Sequence, residues 1–302
     1  MNTWLIFGPG WIYRNLLEYI PREIKVLVAT SRADDESAVK REILEVKPDR
    51  VLCLIGRIRG PPGDTPNIDY LEGNNPEESR EKLLLNLRDN LFGPLCIGMV
   101  CNKLNIHYTY VGTGCIFKYD DIEDEKTEED NPNFFGSSYS IVKGYTDRLM
   151  KLVDGEGETG FTTLNVRIRM PLTDDVYDKS SFIGKIINYP QIVSIPNSVA
   201  VLSDLLPVLV DMIINKKTGT INLVNPGVIT HKEIKELYIK YIDAEHKYTI
   251  MDTTQHDNKL KAQRSNIKLN ASKLLSMYPG IKTAYESIEN IFKKSQLINK
   301  YI

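Results

Sequence analysis

The sequence has few cysteines and no run of apolar residues long enough for a membrane span. Its four cysteines in 302 residues include no CxxC pair, so a disulfide framework is not expected and free thiols in a reducing compartment fit best. No segment reaches the roughly 18 consecutive apolar residues that a transmembrane helix needs. The first residues also lack the basic start and the cleavage site of a secretory signal. These absences predict a cytoplasmic protein that does not enter the membrane.

A large charge excess and a metal-binding pattern are absent as well. The formal net charge of -2 gives no broad electrostatic reason to bind nucleic acid. The four histidines are scattered without the spacing of zinc ligands. We therefore expect neither a nucleic-acid partner nor a metal ion.

Segments with strand and helix periodicity alternate through the first part of the chain. The predicted strands are residues 3–7, 24–29, 50–55, 107–117 and 162–168, and the predicted helices are residues 11–20, 36–46, 80–104 and 139–153. This alternation predicts an α/β fold with a Rossmann-type, doubly wound parallel sheet. Residues 56–75 are rich in Gly, Pro, Asn and Asp, which predicts a long loop at the carboxyl end of the sheet, where ligands usually bind.

The pattern loosens into shorter elements from Ile183 onward. We therefore predict a dinucleotide-binding domain over residues 1–170 and a smaller lobe over residues 171–302. The lobe is expected mainly to bind substrate, with some return of the chain to the first domain. Residues 120–130 include eight acidic side chains and only Lys126 as a counter-charge, which favours a solvated surface loop.

A Gly-Pro-Gly turn at residues 8–10 follows the first predicted strand and precedes the first predicted helix. Such a turn lets a pyrophosphate approach backbone N–H groups at the positive end of the helix. Tyr13 stands where the usual fingerprint has its third glycine, so a plain tight turn fits the motif about as well. The position of the turn favours cofactor binding by Gly8, Gly10, Trp11 and Ile12.

The second predicted strand ends in Thr30-Ser31-Arg32, where a dinucleotide-binding fold places the residue that meets the adenosine ribose. The guanidinium of Arg32, next to Ser31, suits the 2′-phosphate of NADPH. The acidic residues at 34–36 keep NADH open as the cofactor. A solvated surface arginine is the other interpretation of Arg32.

Tyr139 and Lys143 lie four residues apart on one face of a predicted helix. The charge of a nearby lysine favours a phenolate, so Tyr139 can give a proton to a developing alkoxide, while Lys143 can hold the nicotinamide ribose. Thr113 lies near the end of the strand that leads to this helix and can bond to the same carbonyl oxygen. Surface pairs of this spacing are common by chance, but this placement predicts a carbonyl-reducing site.

Cys115 lies two residues after Thr113 and therefore projects from the same face of a strand. A thiol beside hydroxyl groups that bind a carbonyl can remove a proton from the neighbouring carbon, and the hydroxyl groups then stabilise the enolate. The other three cysteines fit the ordinary role of small buried apolar residues.

Several segments together resemble the extended short-chain dehydrogenase/reductase family, and within it the bifunctional UDP-4-keto-6-deoxyglucose 3,5-epimerase/4-reductases. In plants this activity forms the C-terminal half of UDP-rhamnose synthase. The similar segments are TGCIFKYD (113–120), FGSSYS (135–140), VRIRMP (166–171), SFIGK (181–185), IPNS (195–198), NPGV (225–228) and RSN (264–266).

The resemblance implies two reactions in one pocket, on UDP-4-keto-6-deoxyglucose as substrate. Inversion at C3 and C5 needs an acid and a base on opposite faces of the sugar, and the matching residues are Cys115 and Lys185. Reduction of the C4 ketone by NADPH, with the proton from Tyr139, then gives UDP-L-rhamnose. A solvated helix lysine is the alternative interpretation of Lys185.

Further site residues and partners follow from the same resemblance. Asn90 is expected to support the active-site helix at the cofactor site, Arg264 to lie near the UDP phosphates and Asn197 to bind substrate. For Arg264, a surface basic residue is the alternative. The plant dehydratase half has no counterpart in the sequence, so the expected source of substrate is a 4,6-dehydratase on a separate polypeptide. A homodimer is a further expectation, because helix pairs of this fold often dimerise.

Two other functions remain open at this stage. A reductase similar to dTDP-4-dehydrorhamnose reductase would need Thr113, Tyr139 and Lys143 but not Cys115. A non-catalytic, NADPH-sensing regulatory subunit could be built on the same fold, although the intact Tyr139/Lys143 pair argues against it.

Overall fold

The computed structural model describes residues 2–61, 64–154 and 163–299. The strands are β1 (Thr3–Phe7), β2 (Lys25–Val28), β3 (Arg50–Cys53), β4 (His107–Thr113), β5 (Thr163–Ile168), β6 (Pro171–Leu172), β7 (Gln191–Ile192), β8 (Ala200–Val201), β9 (Gly219–Asn222) and β10 (Thr249–Ile250). The helices are α1 (Trp11–Leu16), α2 (Glu36–Val46), α3 (Pro76–Leu87), α4 (Gly93–Lys103), α5 (Ser138–Asp154), α6 (Phe182–Asn188), α7 (Leu202–Ile214), α8 (His231–Tyr241), α9 (Thr253–Asp257), α10 (Ser272–Met277) and α11 (Ala284–Asn299). None of these described helices is long and apolar enough to cross a membrane.

Six strands form one parallel sheet in the order β2-β1-β3-β4-β5-β9. The order reverses beside β1, as in a doubly wound sheet, so the expected Rossmann-type α/β fold is confirmed. β9 belongs to the second half of the chain and pairs with β5 at the edge of the sheet. Thr162, the predicted start of a strand, and residues 62 and 63 of the predicted loop lie outside the described residues.

Successive residues of β1 project to opposite faces of the sheet. Trp4 and Ile6 pack in an apolar core with α1, α7 and α10, whereas Leu5 and Phe7 pack with α2, α4 and α5. Helices therefore cover both faces. A separate apolar core, outside the sheet, joins α6, α8 and α11.

The predicted helix 80–104 is interrupted by a π-helical turn at Arg88–Phe92 between α3 and α4. Pro94 has no N–H to give to the carbonyl four residues earlier, which is that of Asn90. That carbonyl accepts a hydrogen bond of 2.7 Å from Thr146 Oγ1 of α5 instead. The interruption therefore ties the end of the long helix to the helix that carries Tyr139.

The expectation of a solvated loop at residues 120–130 is wrong for its second half. The backbone of Lys126 bonds to both Lys268 and Asn270, and Glu128 is only 4% exposed. The Glu128 carboxylate accepts the N–H of Asn222 at 2.9 Å, at the edge strand β9. Charge density in the sequence does not reveal such backbone partners, which come from distant parts of the chain.

Candidate active site

A hydroxyl, a thiol and a phenol meet just beyond the carboxyl end of β4. The N–H of Cys115 donates to Thr113 Oγ1 at 3.1 Å, and the Thr113 side chain also hydrogen-bonds with Tyr139. Cys115 and Tyr139 share a small apolar cluster with Tyr70 and Leu71. The structure thus brings together the three side chains that the sequence placed around one ketone.

The turn after β4 depends on a close approach between two chain segments. A Cβ at Gly114 would lie 2.7 Å from the side chain of Leu269, too close for any other residue without displacement. The glycine therefore lets the segment that contains Arg264 and Leu269 pack directly over the turn that holds Cys115.

The pKa of Tyr139 is raised, first by burial and then by the charge of Cys115. The hydrogen bond from Thr113 and the charge of Arg169 oppose this shift only in part. The expectation that a lysine favours the phenolate at Tyr139 is wrong here, because burial dominates and Lys143 donates to the Tyr110 hydroxyl instead. A neutral phenol is the form that can donate a proton.

Lys143 is 3% exposed beneath this cluster. Burial lowers the pKa of its ammonium to about 8, although the charge of Asp147 favours the protonated form. The Tyr110 hydroxyl in β4 accepts its hydrogen bond, and the Tyr110 ring lies 4.7 Å from the nitrogen. The neighbours of Lys143 therefore fix its position without neutralising its charge.

A short 3-10 turn at Ile68–Glu72 packs over Tyr139. Glu72 accepts the N–H of Ser138 at 2.8 Å, next to Tyr139, and burial raises the pKa of this carboxyl group. Asp69 binds both terminal nitrogens of Arg264 at 3.0 Å. Arg264 therefore lies beside the site, but an aspartate holds the guanidinium that the family resemblance placed near the UDP phosphates.

Arg169, directly after β5, is the residue that the sequence reasoning missed. It is 5% exposed, and its Nη1 lies 2.6 Å from the sulfur of Cys115. Its Nη2 donates to Asn197 Oδ1 at 2.8 Å and to the carbonyl of Ser265. The sequence did contain one signal for Arg169. It directly follows the predicted strand 162–168, and that strand is expected to pair with the strand that contains Thr113.

Asn197 is buried and its amide is occupied by protein groups. Besides Arg169, its Oδ1 accepts the N–H of Ile267 at 3.0 Å, and its Nδ2 donates to Asn266 at 3.0 Å. The observed contacts of Asn197 orient Arg169 and the 265–267 segment. Its expected contact with substrate stays a prediction.

The glycine turn after β1 combines a close backbone approach at Gly8 with an open backbone at Gly10. Gly8 has a φ of 87°, and a Cβ there would lie 2.8 Å from the backbone of Leu54 and Ile55. A Cβ at Gly10 would meet no atom within 4 Å, so this backbone faces open space. These residues fit the approach of a pyrophosphate.

The next two expected cofactor residues serve a structural purpose as well. Trp11 and Ile12 pack against the core beneath the sheet, and Trp11 Nε1 donates to Asp178 Oδ2 at 2.7 Å. The charge of Asp178 also favours protonation of Lys185 in α6, whereas burial and the charge of Arg59 lower the pKa of that lysine. Lys185 therefore lies in the region where the C-terminal lobe meets the glycine turn.

The end of β2 is exposed and held by a helix residue. Glu42 of α2 accepts the N–H of Ser31 at 2.9 Å. The Arg32 side chain is 64% exposed and forms an ion pair of 2.9 Å with Asp34. A guanidinium is thus available at the expected place for a 2′-phosphate, although a carboxylate competes for it.

Asn90 is fully buried in the π-helical turn. Its side chain bonds both the N–H and the carbonyl of Arg57 at 2.9 Å, after β3. Together with the bond from Thr146, these contacts connect β3, the long helix and α5. This is the supporting geometry that the sequence suggested for Asn90.

Comparison with known proteins yields relatives along nearly the whole chain, although no family model matches. The crystal structure of the L780 UDP-rhamnose synthase from Acanthamoeba polyphaga mimivirus is 47% identical, with a TM-score of 0.88 over 97% of this chain and 99% of that one. A bifunctional dTDP-4-dehydrorhamnose 3,5-epimerase/dTDP-4-dehydrorhamnose reductase from Arabidopsis thaliana is 32% identical over 95% of this chain and 91% of the relative.

A third relative is longer. The trifunctional UDP-glucose 4,6-dehydratase/UDP-4-keto-6-deoxy-D-glucose 3,5-epimerase/UDP-4-keto-L-rhamnose-reductase of Arabidopsis thaliana is 34% identical over 94% of this chain. The chain spans 40% of the length of that relative.

The doubly wound sheet, the glycine turn and the Tyr139/Lys143 pair define an extended short-chain dehydrogenase/reductase. Identity above 30% over nearly full lengths then narrows the class. The chain belongs to the family of bifunctional nucleotide-sugar 3,5-epimerase/4-keto reductases.

Proposed function

We propose that the protein converts UDP-4-keto-6-deoxyglucose into UDP-L-rhamnose, by 3,5-epimerisation and NADPH-dependent reduction of the C4 ketone. The observation that carries this proposal is the Cys115 thiol beside the Tyr139 phenol and the Thr113 hydroxyl. A reductase alone needs the phenol and the hydroxyl but has no use for the thiol. The similarity to a UDP-rhamnose synthase supports the same choice.

In the epimerisation, Cys115 is the base and Lys185 the acid on the other face of the sugar. The protons at C3 and C5 are acidic because both carbons flank the ketone. Thr113 and Tyr139 stabilise the enolate oxygen by hydrogen bonds. The lowered pKa of Lys185 makes its ammonium a better proton donor near neutral pH.

In the reduction, Tyr139 donates the proton that the C4 oxygen takes up. Burial keeps this phenol protonated, and Thr113 orients it. Bound NADPH would supply the hydride. The residues that would hold it are Lys143 at the nicotinamide ribose, Gly8, Gly10, Trp11 and Ile12 at the pyrophosphate, and Ser31 and Arg32 at the 2′-phosphate, with Asn90 as support.

Residues 1–170 bind the cofactor in this proposal, and residues 171–302 bind most of the substrate. The lobe contributes Asn197 and Arg264, and β9 returns to the main sheet. We also propose a homodimer through α4 and α5. Exposed apolar side chains on these adjacent helices, including Met99, Tyr145 and Leu152, support this arrangement.

The decisive experiment incubates the purified protein with UDP-4-keto-6-deoxyglucose and NADPH in D2O, and identifies the product sugar by NMR. We expect UDP-L-rhamnose with deuterium at C3 and C5. Cys115→Ser should abolish deuterium incorporation yet still reduce a ketone that has already been epimerised. Cys96→Ser is the matched control, because burial raises the pKa of that thiol to about 11. A 6-deoxy product without inversion, or unchanged incorporation in Cys115→Ser, would contradict the proposal.

A further inference from the structure

We infer that Arg169 is a positioning residue that maintains Cys115 as the thiolate base, an inference that rests on the proposed epimerisation. The Arg169 guanidinium reaches the Cys115 sulfur at 2.6 Å. Cysteines become reactive in proteins where positive charge lies beside them, because the thiolate is the nucleophilic and basic form.

Arg169 has no carboxylate to balance its charge among the described residues. Its acceptors are the Cys115 sulfur, the Asn197 amide oxygen and the Ser265 carbonyl, and its buried Nε has no hydrogen-bond partner. A buried cation without a counter-ion is unfavourable, so an anion beside it is strongly stabilised. Of the three acceptors, only the Cys115 sulfur can become that anion.

Arg167, two residues earlier and inside β5, provides a comparison for Arg169. It is fully buried, whereas Arg169 is 5% exposed, and it binds both oxygens of Asp147 at 2.8 and 2.9 Å. Arg167 therefore has its counter-ion in the protein. Arg169, two residues later at the edge of the active site, has no such carboxylate in the part of the chain that the structure describes. This difference indicates that the charge of Arg169 acts in the reaction.

The backbone next to Arg169 is strained, and hydrogen bonds hold the guanidinium. Met170, immediately after Arg169, has a φ of 41°, in the left-handed region that residues with a side chain rarely adopt. Such strain persists at functional sites because the surroundings impose it. Asn197 and the carbonyl of Ser265 hold the outer nitrogens.

Charged or titratable groups from three elements face Cys115 among the described residues: Arg169 after β5, Tyr139 and Lys143 of α5, and Tyr70 of the turn Ile68–Glu72, which shares its apolar cluster. In the step proposed here, the Cys115 thiolate takes a proton from carbon and becomes a neutral thiol. The negative charge moves to the enolate oxygen beside Tyr139, a position within reach of the charge of Arg169. Arg169 therefore stabilises the base before the transfer without having to exchange protons.

The test follows the alkylation of Cys115 by iodoacetamide as a function of pH, with each cysteine resolved by peptide mass spectrometry. We expect the pH midpoint of the Arg169→Met variant to lie about one unit or more above that of the wild type. Arg169→Lys keeps the positive charge, so its pH midpoint should lie much closer to that of the wild type than to that of Arg169→Met. Lys273→Met, which removes a lysine bound to the Thr220 carbonyl, is a control that should leave the midpoint unchanged.

Thiolate absorbance in the wild type, measured against Cys115→Ser, provides a readout that does not depend on a folded Arg169 variant. A thiolate that forms only above about pH 8.5, the midpoint of a free cysteine, would overturn the inference. So would an unchanged midpoint in folded Arg169→Met. Both measurements are made without substrate, so they can fail while UDP-L-rhamnose is still produced, or succeed if the product is a different sugar.

Discussion

Two sets of positive side chains surround the site, and they differ in what compensates them. Lys143 and Arg169 are buried, and neither has a carboxylate within ion-pair distance among residues 2–61, 64–154 and 163–299. Arg32 and Arg264 reach solvent, and each forms an ion pair with an aspartate. We call these the inner and the outer cations.

The difference suggests a division of labour between the two regions. A buried charge without a carboxylate partner costs stability, and it strengthens interactions with charge that develops during the reaction. An outer cation keeps more of its hydration than an inner one. When a ligand binds, the outer cation must give up its aspartate partner to contact a phosphate of the ligand. We therefore expect changes around the inner cations to lower kcat and changes at the outer cations to raise KM.

The largest effect should follow removal of the phenol above the inner cations. We expect Tyr139→Phe to lower kcat for reduction of the epimerised ketone at least 100-fold, because positioned general acids contribute about that much. KM for the nucleotide sugar should change little. NADPH oxidation at saturating ketone measures both constants.

Tyr108→Phe is the matched control for this substitution. Tyr108 is also buried, but its hydroxyl donates to the Pro94 carbonyl at 2.8 Å, away from the site. Its variant should retain kcat. Equal losses in both variants would show that buried phenols matter for folding alone and would remove the distinction between the regions.

The next largest effect concerns the outer cation Arg264. Arg264→Met should raise KM for the UDP sugar about 10- to 100-fold, the worth of one charge-assisted interaction with a phosphate, with kcat nearly unchanged. Asp69→Asn should do the reverse and lower KM a few-fold, because it releases the guanidinium that Asp69 now binds. A loss of kcat in Arg264→Met would place this residue with the inner set.

Local patterns predicted the elements whose signals lie within them. α2 extends from Glu36 to Val46 as the sequence indicated, because Asp35 caps it by accepting the N–H of Ala38 and Lys47 ends it in a left-handed conformation. Thr113 and Cys115 do lie close together, but the period of a strand is not the reason. The predicted strand 107–117 ends at Thr113, and Cys115 lies in the turn that follows, where its N–H donates to Thr113 Oγ1.

What the sequence did not reveal depends on contacts between distant segments. Arg169 meets Cys115 across 54 positions, and Glu128 meets Asn222 across 94. Neither pairing leaves a periodic signal. The partner of Lys143 was also misjudged, because helix spacing suggested Tyr139 whereas the β4 residue Tyr110 lies closer to its ammonium group.

A smaller effect should distinguish the cofactors at the outer cation Arg32. Arg32→Ala should weaken the preference for NADPH over NADH about tenfold, because one exposed guanidinium faces the 2′-phosphate in our proposal. KM values for the two cofactors give the ratio. Arg22→Ala, at an exposed arginine elsewhere, is the control. An unchanged ratio would mean that Arg32 is an ordinary surface residue paired with Asp34.

The smallest effect is a stability change at the inner cation Lys143. Its pKa in the folded protein is about 8, below its ordinary value of 10.5, so folding is penalised while the ammonium is charged. The full penalty applies below pH 8. Between pH 8 and 10.5 only the unfolded chain keeps the proton, so the free energy of unfolding of the wild type increases with rising pH.

Lys143→Met removes this titration, and its melting temperature relative to the wild type should therefore fall by about two degrees or more between pH 7 and 9.5. Lys232→Met, at a half-exposed lysine, should show no such trend. A difference that does not vary with pH would show that Lys143 is compensated in the folded protein, and the contrast between inner and outer cations would then rest on Arg169 alone.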